Sequence, residues 1–311
     1  MLMVLAGFAA AQQHYPRKPI RLIVPYPPGG STDPLARLVG LKLTESWGQP
    51  VIVDNRPGGN TIIGTEAAAK SVPDGHTILL FSTTQAVLPS LNPKLPYDIT
   101  KDFAGVAALS SSPNVLVVHP SVPANNLREF IALAKANPGQ LNYGTSGTGG
   151  AVHLATELFN ITAGTKMHHI PYKGSGPVVT DLIGGQIQLS FQTPIAVIPH
   201  IRSGKLRAIA VAGEARLSAL PQVPTFAEGG LPSYDYKAWF GILAPAGTPR
   251  EVIDKISTEI AKIVSTPDTR EKLHNQGMEP FILTPDQVSA LVRADVAKYA
   301  RIVKTANIRV E

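Results

Sequence analysis

Short, nearly continuous apolar runs, each followed by a stretch of helical periodicity, most restrict how this chain can fold. Residues 20–26 (IRLIVPY), 51–53, 77–81 (TILLF), 115–118, 187–191 and 206–211 (LRAIAV) mostly lack the apolar–polar alternation of a sheet with one wet face. Strands covered on both faces look like this, which points to parallel sheets sandwiched by helices. Helical patterns fall over 34–43, over 127–136 up to Asn137-Pro138-Gly139, from Ala151 onward, and over 178–183. Thr248-Pro249-Arg250-Glu251 predicts a capping box that opens a helix to about Val264. Thr284-Pro285-Asp286-Gln287 predicts the same device at the start of a last helix reaching about Thr305. Strand–helix alternation throughout predicts an α/β fold with right-handed crossovers.

A chain of 311 residues exceeds what one hydrophobic core usually serves, so two domains are expected. No linker rich in Pro, Gly or Ser divides it. If two lobes exist, strands must connect them, and 115–119 and 239–243 are the expected crossing points. Lobe one is then 12–114 with 239–311, and lobe two is 115–238. Residues 2–11 (LMVLAGFAAA) read as the end of a secretory signal peptide cleaved near Ala11, although no Lys or Arg precedes the apolar run. No later stretch has the roughly 18 uninterrupted apolar residues of a membrane span. The formal charge of +6 comes without a run of Lys and Arg, so it predicts a mildly basic surface and no nucleic-acid partner. Cysteine is absent, which removes disulfides, thiolate catalysis and thiolate metal sites.

The candidate chemistry lies in four glycine-rich loops, each between a strand and a helix. The first is Pro25-Tyr26-Pro27-Pro28-Gly29-Gly30-Ser31-Thr32-Asp33, and the second is Asn55-Arg56-Pro57-Gly58-Gly59-Asn60-Thr61. Both contain Pro-Gly-Gly, then Ser or Asn, then Thr. The third is Tyr143-Gly144-Thr145-Ser146-Gly147-Thr148-Gly149-Gly150, and the fourth is Tyr172-Lys173-Gly174-Ser175-Gly176-Pro177. Glycine lets backbone approach a ligand, and the helix behind each loop is expected to supply unpaired N–H groups and the positive end of its dipole. Ser, Thr and Asn add neutral hydrogen bonds. Such loops bind an anion at the carboxyl edge of an α/β sheet without a buried cation. The phosphate-loop pattern, a G-x-G-x-x-G in these loops and the G-x-S-x-G nucleophile elbow are all missing.

Ser82, Thr83, Thr84 and Gln85 follow the 77–81 strand and either line the same cleft or cap a helix. Gln192, ending the 187–191 run, is a candidate contact from lobe two. His168 and His169 are expected to point to opposite faces of a strand, which argues against a shared metal. His153 and Glu157, four apart on one helix face, read as a surface pair, with His153 close enough to the helix start to reach the cleft. His76 reads as a turn residue. No metal, cofactor or acid/base pair is indicated.

These loops carry a family resemblance. The chain resembles the Bug-type extracytoplasmic solute receptors of the tripartite tricarboxylate transporter system, over nearly everything after the leader. The matching segments include Tyr15-Pro16-Arg17-Lys18-Pro19, the first two loops, Leu95-Pro96-Tyr97-Asp98 and Lys101-Asp102-Phe103. They continue with Leu141-Asn142-Tyr143-Gly144-Thr145-Ser146-Gly147, His153-Leu154-Ala155, His169-Ile170-Pro171-Tyr172-Lys173-Gly174, Gly204-Lys205-Leu206-Arg207, Val223-Pro224-Thr225 and Pro245-Ala246-Gly247-Thr248-Pro249. The resemblance implies a type II periplasmic-binding-protein fold, in which two α/β lobes joined by hinge strands close on a carboxylate-bearing solute. It implies that Tyr26, Gly29, Gly30, Ser31 and Thr32, with Gly58, Gly59, Asn60 and Thr61, hold one carboxylate. Thr145, Ser146, Gly147, Thr148, Tyr172, Lys173 and the end of the 187–191 strand then select the rest of the ligand. Family members often carry His where Gln85 stands and Asp where Gln192 stands, so the cleft here loses a negative charge and is expected to prefer a simple or aromatic carboxylate to an amino acid. The expected role is a periplasmic, monomeric, non-catalytic receptor that serves membrane transporter subunits. Delivery of the signal to a sensor kinase is the alternative within binding. An α/β enzyme using the loops as an oxyanion cradle is the rival of another class.

Overall fold

The computed structural model describes residues 15–28, 32–172, 175–234 and 236–308. The expected leader, Gly29, Gly30, Ser31, Lys173 and Gly174 therefore lie outside the described residues. Two twisted sheets carry the fold. The first has the order β11-β4-β10-β3-β1-β2, from β1 (Ile20–Val24), β2 (Val51–Asn55), β3 (Thr77–Ser82), β4 (Phe103–Ser112), β10 (Ala238–Pro245) and β11 (Glu279–Pro280). The second has the order β7-β6-β8-β5-β9, from β5 (Val115–Val118), β6 (Asn142–Thr145), β7 (His168–Pro171), β8 (Leu189–Gln192) and β9 (Arg207–Val211). Within each sheet three neighbouring strands run parallel: β2, β1 and β3 in the first, β7, β6 and β8 in the second. The strands nearest the crossings, β10 and β5, pair antiparallel to their neighbours.

Ten helices connect them among the described residues: α1 (Thr32–Trp47), α2 (Ile62–Ala69), α3 (Thr83–Leu91), α4 (Leu127–Ala136), α5 (Ala151–Ala163), α6 (Ser175–Ile183), α7 (Pro194–Arg202), α8 (Arg250–Ser265), α9 (Pro267–Asn275) and α10 (Pro285–Thr305). None of them is long and apolar enough to cross a membrane.

Burial explains why the inner strands read as continuous apolar runs. On β1 and β3, Ile20, Leu22, Val24, Ile78 and Leu80 face the helices α1 and α8, while Ile23, Leu79 and Phe81 face the opposite layer with α3 and α10. Side chains alternate between faces along a strand, so two apolar layers demand an apolar residue at every position. In β5, all four residues are buried: Leu116 and Val118 against the α4 and α5 side, and Val115 and Val117 against α6 and α7. The expectation of two covered faces does not extend to β2 and β7. Each lies at a sheet edge, and Ile52 and His168 are exposed.

The α10 start follows its sequence signature. Thr284 Oγ1 accepts from Gln287 N–H, and Gln287 Oε1 accepts from Thr284 N–H at 2.9 Å. The matching expectation at Thr248 is corrected. Its hydroxyl turns back and donates to the Pro245 carbonyl at 2.7 Å, and Pro249 supplies the cap without a side-chain bond. A tight turn after β10 offers that hydroxyl a nearer acceptor than the helix offers a donor.

The chain passes from the first sheet to the second through Pro113-Asn114 and returns between β9 and β10. The two crossings are adjacent, because Ser112 pairs with Ala238 in β4–β10 and Val115 pairs with Val211 in β5–β9.

Candidate functional site

Parallel pairing puts the ends of β1, β2 and β3 on one edge of the first sheet and the ends of β6, β7 and β8 on one edge of the second. Among the described residues, the candidates lie at those strand ends, in the loops that leave them or on the first turns of the helices that follow: Thr32 on α1, Thr83, Thr84 and Gln85 on α3, and His153 on α5. Both edges are fastened to the returning crossing. Trp239 N–H donates to Thr83 Oγ1 at 3.0 Å, at the start of α3. Tyr236 O–H donates to the carbonyl of Ala151 at 2.9 Å, at the start of α5. The four residues from Tyr236 to Trp239 thus link a helix start of one sheet to a helix start of the other.

In the first sheet, the first and second loops are built as one unit. Arg56 N–H donates to the Val24 carbonyl at 2.8 Å. Asn55 Nδ2 donates to the Tyr26 carbonyl at 3.2 Å and to Asp33 Oδ1 at 3.0 Å. Asp33 is buried in the first turn of α1, where the helix dipole favours its charge, and Arg37 Nε donates to its other oxygen at 2.9 Å. Asp33 and Asn55 are scaffold residues that sequence reasoning passed over. They lay inside the quoted loops but carried no motif beyond the glycines.

The second loop is the most strained backbone described. Gly58, Gly59, Asn60 and Thr61 all have positive φ, at 126°, 55°, 51° and 79°. Two consecutive non-glycine residues in the left-handed region cost of order 1–3 kcal/mol each, and such strain clusters at ligand clamps and other functional sites. The loop twists its own carbonyls onto the helix: Ile62 N–H donates to Gly59 O and Ile63 N–H to Gly58 O. The expectation that α2 offers its first N–H groups to an anion is therefore corrected for those two. Gly58, Gly59 and Asn60 are exposed and form the lip, whereas Thr61 is 2% exposed, with its hydroxyl buried and unbonded.

Tyr26 lies across from β3. Its O–H donates to Ser82 Oγ, Ser82 O–H donates to Gln85 Oε1 at 2.9 Å, and Gln85 Nε2 donates to the Leu80 carbonyl at 3.2 Å. Ser82 N–H also donates to Gln85 Oε1, at 2.7 Å. Gln85 is wholly buried and spends its amide oxygen on the start of α3 and its amide nitrogen on β3, and Thr83 is buried on β10. Of Ser82, Thr83, Thr84 and Gln85, only Thr84 is part-exposed. The geometry thus fits the capping alternative for Gln85.

In the second sheet, the 145–150 loop combines exposed and anchored residues. Ser146 is exposed and Gly147 and Thr148 are half-buried, while Thr145 and Gly149 are buried. Among the described residues no backbone carbonyl accepts from the N–H groups of Ala151, Val152 or His153, so α5 retains the donors expected of it. Tyr172 hangs beside this loop, its N–H donating to the Thr145 carbonyl at 2.9 Å and its O–H to Asp181 Oδ2 at 2.7 Å. Burial and the neighbouring Asp181 push the Tyr172 phenol up to about 12, so it stays protonated. Gln192 is 1% exposed; its Nε2 donates to Ser190 Oγ at 2.8 Å, and Ser190 donates to the Gly144 carbonyl at 2.7 Å.

The reading of His153 and Glu157 as a surface pair is corrected. Tyr143 and His169 stand opposite each other in the β6–β7 register, and α5 lays His153 over them. His169 stacks on His153 with ring centroids 3.8 Å apart and on Tyr143 at 5.0 Å. Tyr143 O–H donates to Glu157, whose carboxyl burial pushes above its usual range. Burial is the larger cause, and histidine neighbours add to it, in pushing both His153 and His169 down to about 4. Both rings are therefore neutral at neutral pH.

Their folded values lie below an unfolded value near 6.5, so between pH 6.5 and 4 the unfolded chain binds more protons. Stability from this pair is full above about 6.5 and is lost as pH falls toward 4. Urea midpoints at pH 7, 5.5 and 4.5 are expected to fall more steeply in the wild type than in a His153→Asn/His169→Gln double variant. Parallel pH profiles would contradict the assignment.

Among the described residues, no three His, Cys, Asp or Glu side chains converge where they could hold a metal ion. The site offers neutral donors, backbone N–H groups and hydroxyls around exposed lips. That arrangement suits reversible capture of an anion.

Comparison with known proteins agrees in fold and extent. The family described as tripartite tricarboxylate transporter family receptor matches residues 35–308. Protein BugT of Bordetella pertussis (strain Tohama I) is 39% identical over 315 residues, spanning 100% of this chain and 97% of that protein. The structure of Rpa4515 from R. palustris with adipate is 34% identical with a TM-score of 0.80, covering 95% of this chain and 99% of that one. The structure of MatC (Rpa3494) from Rhodopseudomonas palustris with bound malate is 28% identical with a TM-score of 0.74, covering 93% and 100%.

Proposed function

Because this chain belongs to the receptor family of the tripartite tricarboxylate transporters, we propose that it captures a small carboxylate between its two sheets and presents it to the membrane subunits of such a transporter. The observation that carries this reading is the pair of loop edges fastened to one crossing segment, at Thr83 and at Ala151. Tyr26, Gly29–Thr32 and Gly58–Thr61 hold one carboxylate. Thr145–Thr148, Tyr172, Lys173 and Gln192 meet the remainder of the solute, and Ser82–Gln85 support the first group from behind. Residues 12–114 with 239–311 form one lobe and 115–238 the other, and the lobes rotate as rigid bodies about the crossings. Closure takes the anion out of water, and aimed N–H groups replace its hydration. The chain performs no catalysis and works in the periplasm, to which residues 1–11 direct it. Adipate with Rpa4515 and malate with MatC support a dicarboxylate as the ligand class.

The test is a thermal-shift screen of refolded, ligand-stripped protein against a panel of carboxylates. A true ligand at about 100 times its Kd stabilises by roughly 2.7 kcal/mol. One carboxylate class should raise the midpoint while its amide or ester does nothing. A midpoint unmoved by every carboxylate would reject the proposal.

A further inference from the structure

We propose that His153 and His169 are positioning residues: a neutral stacked pair that holds the 145–150 loop in its ligand-receiving shape without touching the ligand. The inference rests on the carboxylate reading above and goes further, by separating the residues that meet the solute from those that shape the loop. Gly149 N–H donates to His153 Nδ1 at 3.0 Å, which requires that nitrogen to be bare. On the next ring, His169 Nε2 lies 2.7 Å from Thr145 Oγ1, and Thr145 O–H donates to the Gly147 carbonyl at 3.1 Å. With its proton so used, Thr145 Oγ1 accepts from the imidazole, and His169 carries hydrogen on Nε2. Two rings 3.8 Å apart thus fix the loop at three places, Thr145, Gly147 and Gly149. Gly147 and Gly149 both have positive φ, at 142° and 75°, so the fixed shape is one an unanchored loop readily leaves.

His153 is 6% exposed, and its bonded nitrogen already has a partner, so it is poorly placed to contact a solute. Exposed Ser146 and half-buried Thr148 sit between the anchors and remain available. The arrangement also works only while both rings are neutral. A proton on His153 Nδ1 removes the acceptor of Gly149 and places a charge against the stacked ring. Among the described residues, the titratable groups around the pair are His168 on β7, Tyr143 on β6, Glu157 on α5 and Tyr236, which reaches the α5 start from the return crossing. Glu157 Oε1 accepts from Tyr143 and Asn160, and among the described residues no carboxylate is hydrogen-bonded to either imidazole.

The experiment measures Kd for a carboxylate that wild-type protein binds, in four variants. His153→Asn keeps an acceptor at the Nδ1 position and His169→Gln keeps a donor at the Nε2 position; His153→Leu and His169→Leu keep bulk alone. The Asn and Gln variants should stay within about threefold of wild type. The Leu variants should bind about ten-fold or more weakly, the scale of leaving one buried donor or acceptor unpaired. Their thermal midpoints without ligand should not account for the loss. In addition, the Kd ratio of wild type to His153→Asn should rise between pH 6 and pH 4, since titration of the ligand cancels in that ratio. Equal losses in the Asn and Leu variants, or a ratio flat with pH, would overturn the clamp while leaving the receptor reading intact. Wild-type protein that binds no carboxylate removes the reading on which the clamp depends.

Discussion

Gly64→Ala is expected to cut carboxylate affinity by ten-fold or more and to lower stability, although alanine ordinarily strengthens a helix. Gly64 lies on α2, where the first and second loops meet. A methyl group there would stand 2.7 Å from the Arg56 carbonyl oxygen and 2.8 and 2.9 Å from Cβ and Cα of Pro25. Two of those atoms are backbone, and Arg56 N–H is already bonded to Val24. The neighbours cannot turn aside as a flexible side chain would. Helix propensity favours alanine by about 1 kcal/mol, whereas overpacking at a rigid contact costs about 1–3 kcal/mol. The steric term is the larger. Relief requires α2 to move off Pro25 and Arg56, which carries Gly58–Thr61 away from Tyr26. Calorimetric titration against the ligand found in the screen, with a thermal midpoint, decides the matter. Wild-type values for both would show that the two loops are not coupled through this helix.

Trp239→Ala is expected to be the most destabilising single change, at about 3–5 kcal/mol. The indole is 1% exposed, packs on Phe81 at 4.6 Å between ring centroids, and donates from Nε1 to Asp295 Oδ2 at 2.8 Å. Truncation removes a large apolar body and withdraws a bond from a buried carboxylate. Trp239→Phe separates the two effects, since it keeps most of the packing and loses only the donor; its cost should be well below half. Urea unfolding followed by circular dichroism provides the comparison. A Trp239→Ala protein within 1 kcal/mol of wild type would mean that the crossing strand is not anchored there.

Much of this protein follows from its sequence because the signals are local. The nearly continuous apolar runs of β1, β3 and β5 require two covered faces, and the Thr284–Gln287 pattern opens α10 where the motif places it. The four loops are legible because glycine, proline and hydroxyl residues punctuate strand ends. Local signals also have a limit, and Thr248 marks it: a Thr-Pro step like the one that opens α10 at Thr284 forms a turn there, because the Pro245 carbonyl takes the threonine hydroxyl.

Tertiary structure decided which polar residues look outward. Gln85 reads in sequence as a polar residue at a strand end, yet its amide is consumed by Ser82 and Leu80. His153 and Glu157 read as an exposed pair, yet β6 and β7 bring Tyr143 and His169 beneath them, burying His153 and half-burying Glu157. Gly64 gave no warning at all, since a glycine inside a helix signals a close approach only when the partner backbone is known. Spacing along the chain marked most of the elements, the family and the loops proposed to meet a ligand. Packing between elements distant in sequence settled which atoms within those loops are bonded to the protein, because that depends on the partner each hydrogen bond finds across the fold.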